Sequence, residues 1–125
     1  MPLPEPDEEF LRDKGYQWEL QSAGNEQLLI FHNYALPTGK YTLEVVDLLV
    51  KIPAGYPTTN PDMFFLAQNV LKVDGTIPQS VTQTSINSGT WNQWSRHYPP
   101  NTWRAGIDGL ESYMLVVRKD LEKGI

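Results

Sequence analysis

Three consecutive residues, Ser95, Arg96 and His97, have side chains that can take part in nucleophilic catalysis. A serine hydroxyl is a weak nucleophile at neutral pH and needs a base beside it. His97 is two residues from Ser95, which places both side chains on one side of an extended backbone, and a histidine pKa near ~6.5 suits a general base. No Asp or Glu occurs between Asp74 and Asp108, so a carboxylate that orients His97 has to come from elsewhere in the fold. The alternative is that both are polar loop residues, with His97 hydrogen-bonded to backbone carbonyls.

Two further polar residues are candidates for binding a substrate. Arg96 can clamp a carboxylate or a glycine-rich tail, although a lone arginine is more often solvated or packed along its stem. Asn69 can donate a hydrogen bond to an oxyanion, an interaction worth ~3 kcal/mol in other acyl-transfer sites. The commoner use of asparagine is as a turn residue whose side chain satisfies loop backbone, and we favour that interpretation of Asn69.

Composition excludes several classes of protein. The chain has 125 residues, 40% hydrophobic and 20% charged, which fits one globular domain over residues 1–125. It has no cysteine, so disulfides, thiolate metal sites and thioester chemistry are excluded. A net charge of −5 without clustered Lys and Arg argues against a nucleic-acid partner. No apolar run approaches the ~20 residues that span a bilayer, so we expect a cytoplasmic protein without a membrane partner.

Metal binding is not expected either. The two histidines, His32 and His97, lie far apart, and the carboxylates lack the spacing of a metal site. His32 alternates with apolar residues and is predicted to be a satisfied histidine in a sheet. We therefore expect no metal and no other cofactor.

The elements that must position these residues are predicted from periodicity. Asp7 is predicted to cap a short helix, because acidic residues fill the following turn and Gly15 ends it. Alternating or continuous apolar segments predict four strands of an antiparallel meander. The strand of residues 41–52 is apolar on both faces, so it should be central and covered on both sides. The predicted elements are a helix at residues 8–14 and strands at residues 16–20, 27–36, 41–52 and 63–66.

The remainder divides into a long loop and a helix. Residues 67–106, about forty in number, show no strong period, but their tryptophans must pack, so they predict an ordered active-site-type loop with a small hairpin near Asn87. Asp108 with Glu111 three residues later forms a capping-box pattern at the start of a helix over residues 107–123. Its apolar face should bury against Val46, Leu48 and Val50. The residues of that face are Leu110, Tyr113, Met114, Val117 and Leu121. This order of elements is α+β.

Four motifs make the chain similar to the ubiquitin-conjugating-enzyme-like (UBC-like) superfamily, and more closely to its bacterial prokaryotic family E. They are Leu48-Leu49-Val50-x-Ile52-Pro53-x-Gly55-Tyr56-Pro57, Pro61-Asp62-Met63-Phe64, Trp94-Ser95-Arg96-His97 and Trp103-x-x-Gly106-x-Asp108. The resemblance implies the superfamily's fold: a short N-terminal helix, a four-stranded antiparallel meander, a long active-site loop and a C-terminal crossover helix. It also implies two partners, a ubiquitin-activating-enzyme-like protein and a ubiquitin-like modifier protein. Members of this branch are typically encoded beside these two proteins and a JAB-type peptidase.

The chain departs from the superfamily at the site itself. The usual His-Pro-Asn triplet is reduced to Asn69 in Ala67-Gln68-Asn69. Matched forward from Gly75, the position of the superfamily's cysteine falls on Pro78; matched backward from Trp103, it falls on Ser95. Only the second match supplies a nucleophile, so we favour Ser95, with Thr76 and Ser80 beside the other position as the next candidates.

The resemblance therefore implies a conjugating acyltransferase that carries a ubiquitin-like modifier to a target as a serine oxyester in place of a thioester. One alternative is a non-catalytic UBC-like module that binds or scaffolds a ubiquitin-like protein. Another is a Cys→Ser substitution at position 95, which would also explain the missing cysteine. The resemblance further suggests a cis peptide bond before Pro61 in the proline-rich turn.

Overall fold

A computed structural model describes residues 3–61, 64–67, 73–75, 81–86, 89–94 and 102–123. Its elements are two helices and six strands, and the strands form one sheet in the order β1-β2-β3-β4-β6-β5 with every neighbouring pair antiparallel. The α+β class and the helix–sheet–helix order are therefore confirmed. In chain order the elements are α1 (Glu5–Asp13), β1 (Gln17–Ala23), β2 (Glu26–Ala35), β3 (Val45–Ile52), β4 (Phe64–Leu66), β5 (Val81–Ile86), β6 (Gly89–Trp94) and α2 (Leu110–Lys123).

The first four strands form the predicted meander. β1 and β2 join through a two-residue turn in which Gly24 has a φ of 64°, a backbone conformation that glycine adopts without steric cost and that tight hairpin turns require. The described residues contain two strands more than the four predicted: β5 and β6 form the small hairpin predicted near Asn87, within the segment predicted to be a loop. β6 pairs with β4, so the hairpin extends the sheet beyond the meander. Four polar residues fill the middle of β5, which is why apolar periodicity did not reveal it.

One face of the sheet packs against α2. All five residues of the predicted apolar face of α2 are buried, and they share a cluster with Val46, Leu48 and Val50 of β3, as predicted. Full burial of one such side chain is worth ~1.5–3 kcal/mol, so this contact between α2 and the centre of the sheet dominates the core. β3 is central, as expected from its apolar pattern.

The opposite face of the sheet carries a second, smaller core. Leu49 of β3 and Phe65 of β4 are each 1% exposed and pack with Ile86 of the hairpin, and Trp91 lies half-buried against them. The hairpin thus covers part of the face that α2 leaves uncovered, and β3 is buried on both sides. The remaining buried residues of this second core are Leu28 and Ile30 of β2.

Two further points concern the turn after β3 and the length of the helices. The cis peptide bond in this turn precedes Pro57, so the prediction of a cis bond before Pro61 is wrong. No helix among the described residues is long and apolar enough to cross a membrane.

Candidate functional site

The four predicted site residues lie outside the described residues, at position 69 and positions 95–97, as do the alternatives Thr76 and Ser80. They therefore stay predictions. The described residues form the frame on either side of positions 95–101: Trp94 precedes this segment, and Thr102, Trp103 and Arg104 follow it.

Trp94 holds the start of the segment in the core. It ends β6, pairs with Phe64 and is 1% exposed. Its indole ring stacks on the ring of Phe64, with 5.3 Å between ring centroids, and meets the ring of Tyr41 edge-on at 6.2 Å. The Tyr41 hydroxyl donates to the carbonyl of Leu121 near the end of α2, at 2.5 Å. The chain thus enters positions 95–101 from a point fixed to both the sheet and α2.

Trp103 holds the other end on the turn that follows β3. Its Nε1 donates to the Pro57 carbonyl at 2.9 Å, and its ring lies 6.3 Å from that of Tyr56. Aromatic residues with one polar atom suit such half-buried positions, because the ring packs while the N–H finds an acceptor. The two tryptophans of the motifs therefore act as anchors on opposite sides of the segment that contains Ser95.

A closed turn joins Trp103 to α2. The Asp108 carboxylate accepts a hydrogen bond from the Arg104 backbone N–H at 2.7 Å and pairs with the Arg104 guanidinium at 3.2 Å. The hydrogen bond from the Arg104 side chain, and to a smaller extent the one from the Arg104 backbone N–H, lower the pKa of the Asp108 carboxyl. Asp108 therefore closes this turn, and its predicted role as the N-cap of α2 is wrong.

Asp7 performs the capping role that was assigned to Asp108. Its Oδ1 accepts from the Leu110 backbone N–H at 3.1 Å, at the first residue of α2, and its Oδ2 accepts from the Tyr56 hydroxyl at 2.5 Å. A carboxylate at a helix N-terminus satisfies an otherwise unpaired N–H and complements the helix dipole. Gly109 makes room for this contact, since a Cβ there would lie 2.9 Å from Asp7 Oδ1.

The predicted capping of α1 by Asp7 is therefore wrong as well. α1 begins at Glu5 with Pro4 at its N-cap position, so Asp7 lies inside the helix and is buried at 6% exposure. The signal was available in the sequence, because Pro6 fits the first turn of a helix and places the start of α1 before Asp7. Burial is the larger cause, and the hydrogen bond to Asp7 the next, of a raised pKa of the Tyr56 hydroxyl. The hydroxyl therefore keeps its proton and donates it to the hydrogen bond with Asp7.

His32 is held in the sheet as predicted. Its Nε2 lies 2.7 Å from Glu19 Oε1 and its Nδ1 lies 3.6 Å from Asp47 Oδ1. The hydrogen bond to His32 lowers the pKa of the Glu19 carboxyl. Among the described parts of the chain, no group of three or more His, Asp or Glu residues is arranged to hold a metal ion.

A family model described as prokaryotic E2 family E matches residues 3–124. The chain belongs to prokaryotic E2 family E. No curated protein and no solved structure gives a significant match.

Membership of family E makes the missing cysteine the central chemical fact about this chain. The 125 residues include no cysteine, so no side chain among them can hold an acyl group as a thioester. Any covalent carrier chemistry in this family E protein has to use an oxygen or nitrogen nucleophile.

Proposed function

We propose that this family E protein carries a ubiquitin-like modifier from an activating-enzyme-like protein to a target, through an oxyester on Ser95. Membership of a bacterial E2-like family over residues 3–124 carries the proposal. Such a family implies activating-enzyme-like and ubiquitin-like partners in general, and we place this chain with them in the bacterial cytoplasm. Since the sequence has no cysteine, we assign the carrier role to Ser95, which falls at the position of the superfamily's cysteine when the chain is matched backward from Trp103.

The proposed step is an acyl transfer. The Ser95 hydroxyl attacks the activated C-terminal carbonyl of the modifier, and its proton passes to His97. The new bond forms between Oγ and the acyl carbon as the bond to the activating group breaks, and His97 returns the proton to that leaving group. Arg96 binds the tail of the modifier, whereas Asn69 serves as a turn residue whose side chain satisfies loop backbone.

The described frame supports this proposal by fixing where the segment starts and ends. Trp94 is buried between Phe64 and Tyr41, and Trp103 is hydrogen-bonded to Pro57. A nucleophile on a segment whose two ends are held by packed rings loses less conformational entropy on meeting its substrate than one on a free tail.

Reconstitution tests the proposal. The chain is incubated with its cognate activating-enzyme-like protein, modifier and ATP, and the products are separated with and without dithiothreitol and hydroxide. We expect an adduct that resists dithiothreitol and is cleaved by base. Ser95→Ala should abolish it, Ser95→Cys should make it dithiothreitol-sensitive, and Ser22→Ala, at an exposed serine of β1, should leave it unchanged. If Ser95→Ala still forms the adduct, Thr76 and Ser80 are the next residues to replace.

The absence of cysteine also favours a second function, that of a non-catalytic module which binds a ubiquitin-like protein. In that case no adduct forms under any condition, while the modifier still binds the chain reversibly in the absence of ATP. Isothermal titration of the modifier into the chain therefore separates the two functions.

A further inference from the structure

The strand β1 lies at one edge of the sheet, and among the described residues it pairs with β2 alone. Its seven residues, Gln17–Ala23, include neither proline nor lysine, and their register against β2 is continuous, without a bulge. Proline, lysine and bulges are devices by which natural proteins stop a further strand from pairing with an exposed edge. The outer side of β1 has none of these three protections.

The backbone groups along this outer side belong to alternate residues. The two-residue turn pairs Ala23 with Glu26, and the pair beside such a turn is a hydrogen-bonded one. Hydrogen-bonded and non-hydrogen-bonded pairs alternate along antiparallel strands, so the N–H and C=O groups of Trp18, Leu20 and Ser22 point away from β2. Within the described residues these groups have no hydrogen-bond partner. A row of donors and acceptors at every second residue is complementary to the extended backbone of another strand.

The side chains of β1 differ between the two faces of the sheet. On the face toward α2, Trp18 and Leu20 are half-buried and pack against the main core. On the opposite face lies Glu19, the one acidic residue of the strand. Its carboxylate accepts a hydrogen bond from the Gln21 amide at 3.3 Å and lies 2.7 Å from His32 Nε2. The edge is therefore apolar on one face and carries a single, already partnered carboxylate on the other.

We propose that β1 pairs antiparallel with β1 of a second copy of this chain, with Leu20 opposite Leu20 of that copy. In this register Trp18 lies opposite Ser22 of the second copy, and Ser22 opposite Trp18. Every outward N–H and C=O group of the strand then has a partner, because each facing pair exchanges two hydrogen bonds. The contact has two-fold symmetry and joins the two sheets into one.

The polar side chains favour a second copy and this particular register. Glu19 lies opposite Gln21 of the other copy, so a carboxylate faces an amide donor on both sides of the axis. A register centred on Glu19 would instead place the two Glu19 carboxylates directly opposite each other, and opposed like charges destabilise a strand pair. Because the contact involves one short strand from each copy, the dimer should be weak and transient.

Sedimentation velocity of the full chain, from about 10 µM to about 1 mM, measures the dimer. Salt at ~0.15 M screens the repulsion between two chains of charge −5 beyond ~8 Å, while directly opposed side chains still interact. Gln21→Glu sets carboxylates opposite each other twice in each dimer, and should weaken the dimer about fivefold. Gln21→Lys should strengthen it by a similar factor. Val73→Glu and Val73→Lys are the matched controls, because Val73 is 61% exposed and lies outside β1, and neither should shift the dissociation constant appreciably.

Two further variants test the strand pairing itself. Ser22→Pro removes an outward N–H at both ends of the contact and spares the bonds to β2, so it should abolish the dimer while circular dichroism shows a folded chain. Leu20→Cys should form a disulfide between copies, since the chain has no other cysteine and facing Cα atoms at ~5.5 Å lie within disulfide range. Val73→Cys is the control for random collision.

Three results would overturn the proposal. The first is a chain that stays monomeric at every concentration. The second is a dimer that Gln21→Glu or a folded Ser22→Pro variant leaves unweakened, which would assign dimerisation to another surface. The third is a Leu20→Cys variant that crosslinks no faster than Val73→Cys. If Ser22→Pro does not fold, the opposite shifts expected for Gln21→Glu and Gln21→Lys still decide the outcome.

Discussion

The Asp7 carboxylate and the Tyr56 hydroxyl meet at 2.5 Å across 49 residues of sequence. The same carboxylate caps α2 through Leu110. One buried side chain thereby connects α1, the turn after β3 and the start of α2, and Trp103 extends this connection to the far end of the segment that contains Ser95.

Asp7→Ala should destabilise the protein by about 2–3 kcal/mol, because the Tyr56 hydroxyl and the Leu110 N–H both lose their acceptor. For a domain of this size the midpoint of thermal unfolding should fall by about 10 °C. Asp13→Ala, at an exposed position of the same helix, should change it little. Equal effects of the two substitutions, measured by circular dichroism, would show that the buried contacts contribute nothing.

Gly109→Ala should cost about 1–3 kcal/mol, since the added methyl group would lie 2.9 Å from Asp7 Oδ1. The clash is specific to that atom, so the cost should shrink to less than about 0.5 kcal/mol when Asp7→Ala is already present. Urea unfolding of the four proteins in this double-mutant cycle measures the coupling. Strictly additive costs would place the strain elsewhere.

Alkaline pH should unfold the protein through its buried tyrosines. Burial raises the pKa of Tyr41 to about 12 in the folded protein, above its ordinary value of 10.0. A raised folded pKa means that the contribution to stability is complete below pH 10, where the unfolded tyrosine is also neutral, and is lost as pH rises toward 12. Denaturant unfolding between pH 8 and pH 12 should therefore show a steep decline, which Tyr41→Phe makes shallower.

Trp103→Phe should remove the hydrogen bond to the Pro57 carbonyl and cost about 1 kcal/mol of stability. If Ser95 is the carrier residue, loosening this anchor should also slow adduct formation, measured in the reconstituted reaction at a temperature where the variant is fully folded. Trp18→Phe, at a half-buried tryptophan of β1, is the control and should leave the rate unchanged. Equal rates of adduct formation in the two variants would show that the contacts of Trp103 do not affect the acyl transfer.

The spacing of apolar residues in the sequence predicted which faces of individual helices and strands are buried. The apolar face of α2 and the double burial of β3 follow from the spacing of their apolar residues, and both are confirmed. The small hairpin predicted near Asn87 is confirmed as β5–β6, but its place in the sheet was not predicted, because β5 is polar through its middle and depends on pairing with β6 and on the burial of Ile86.

Capping was predicted for the wrong residues because it depends on contacts between distant parts of the chain. Asp108 has the ideal sequence position to cap α2, but Arg104 occupies its carboxylate. Asp7 caps α2 instead, although it lies 103 residues before Leu110 in the sequence. No local sequence motif predicts a contact at that separation. The chemistry proposed for Ser95, Arg96 and His97 rests on sequence resemblance and on the family match, and the reconstitution decides it.

The separation between Asp7 and Leu110 also has a consequence for biosynthesis. At translation rates of ~5–20 residues per second, Asp7 precedes its partner by roughly 5–20 s. α1 has nine residues, fewer than the ~12–15 that an isolated helix needs in water. We therefore expect α1 to stay unstructured in the nascent chain until α2 emerges. Until then α1 is accessible to chaperones and proteases.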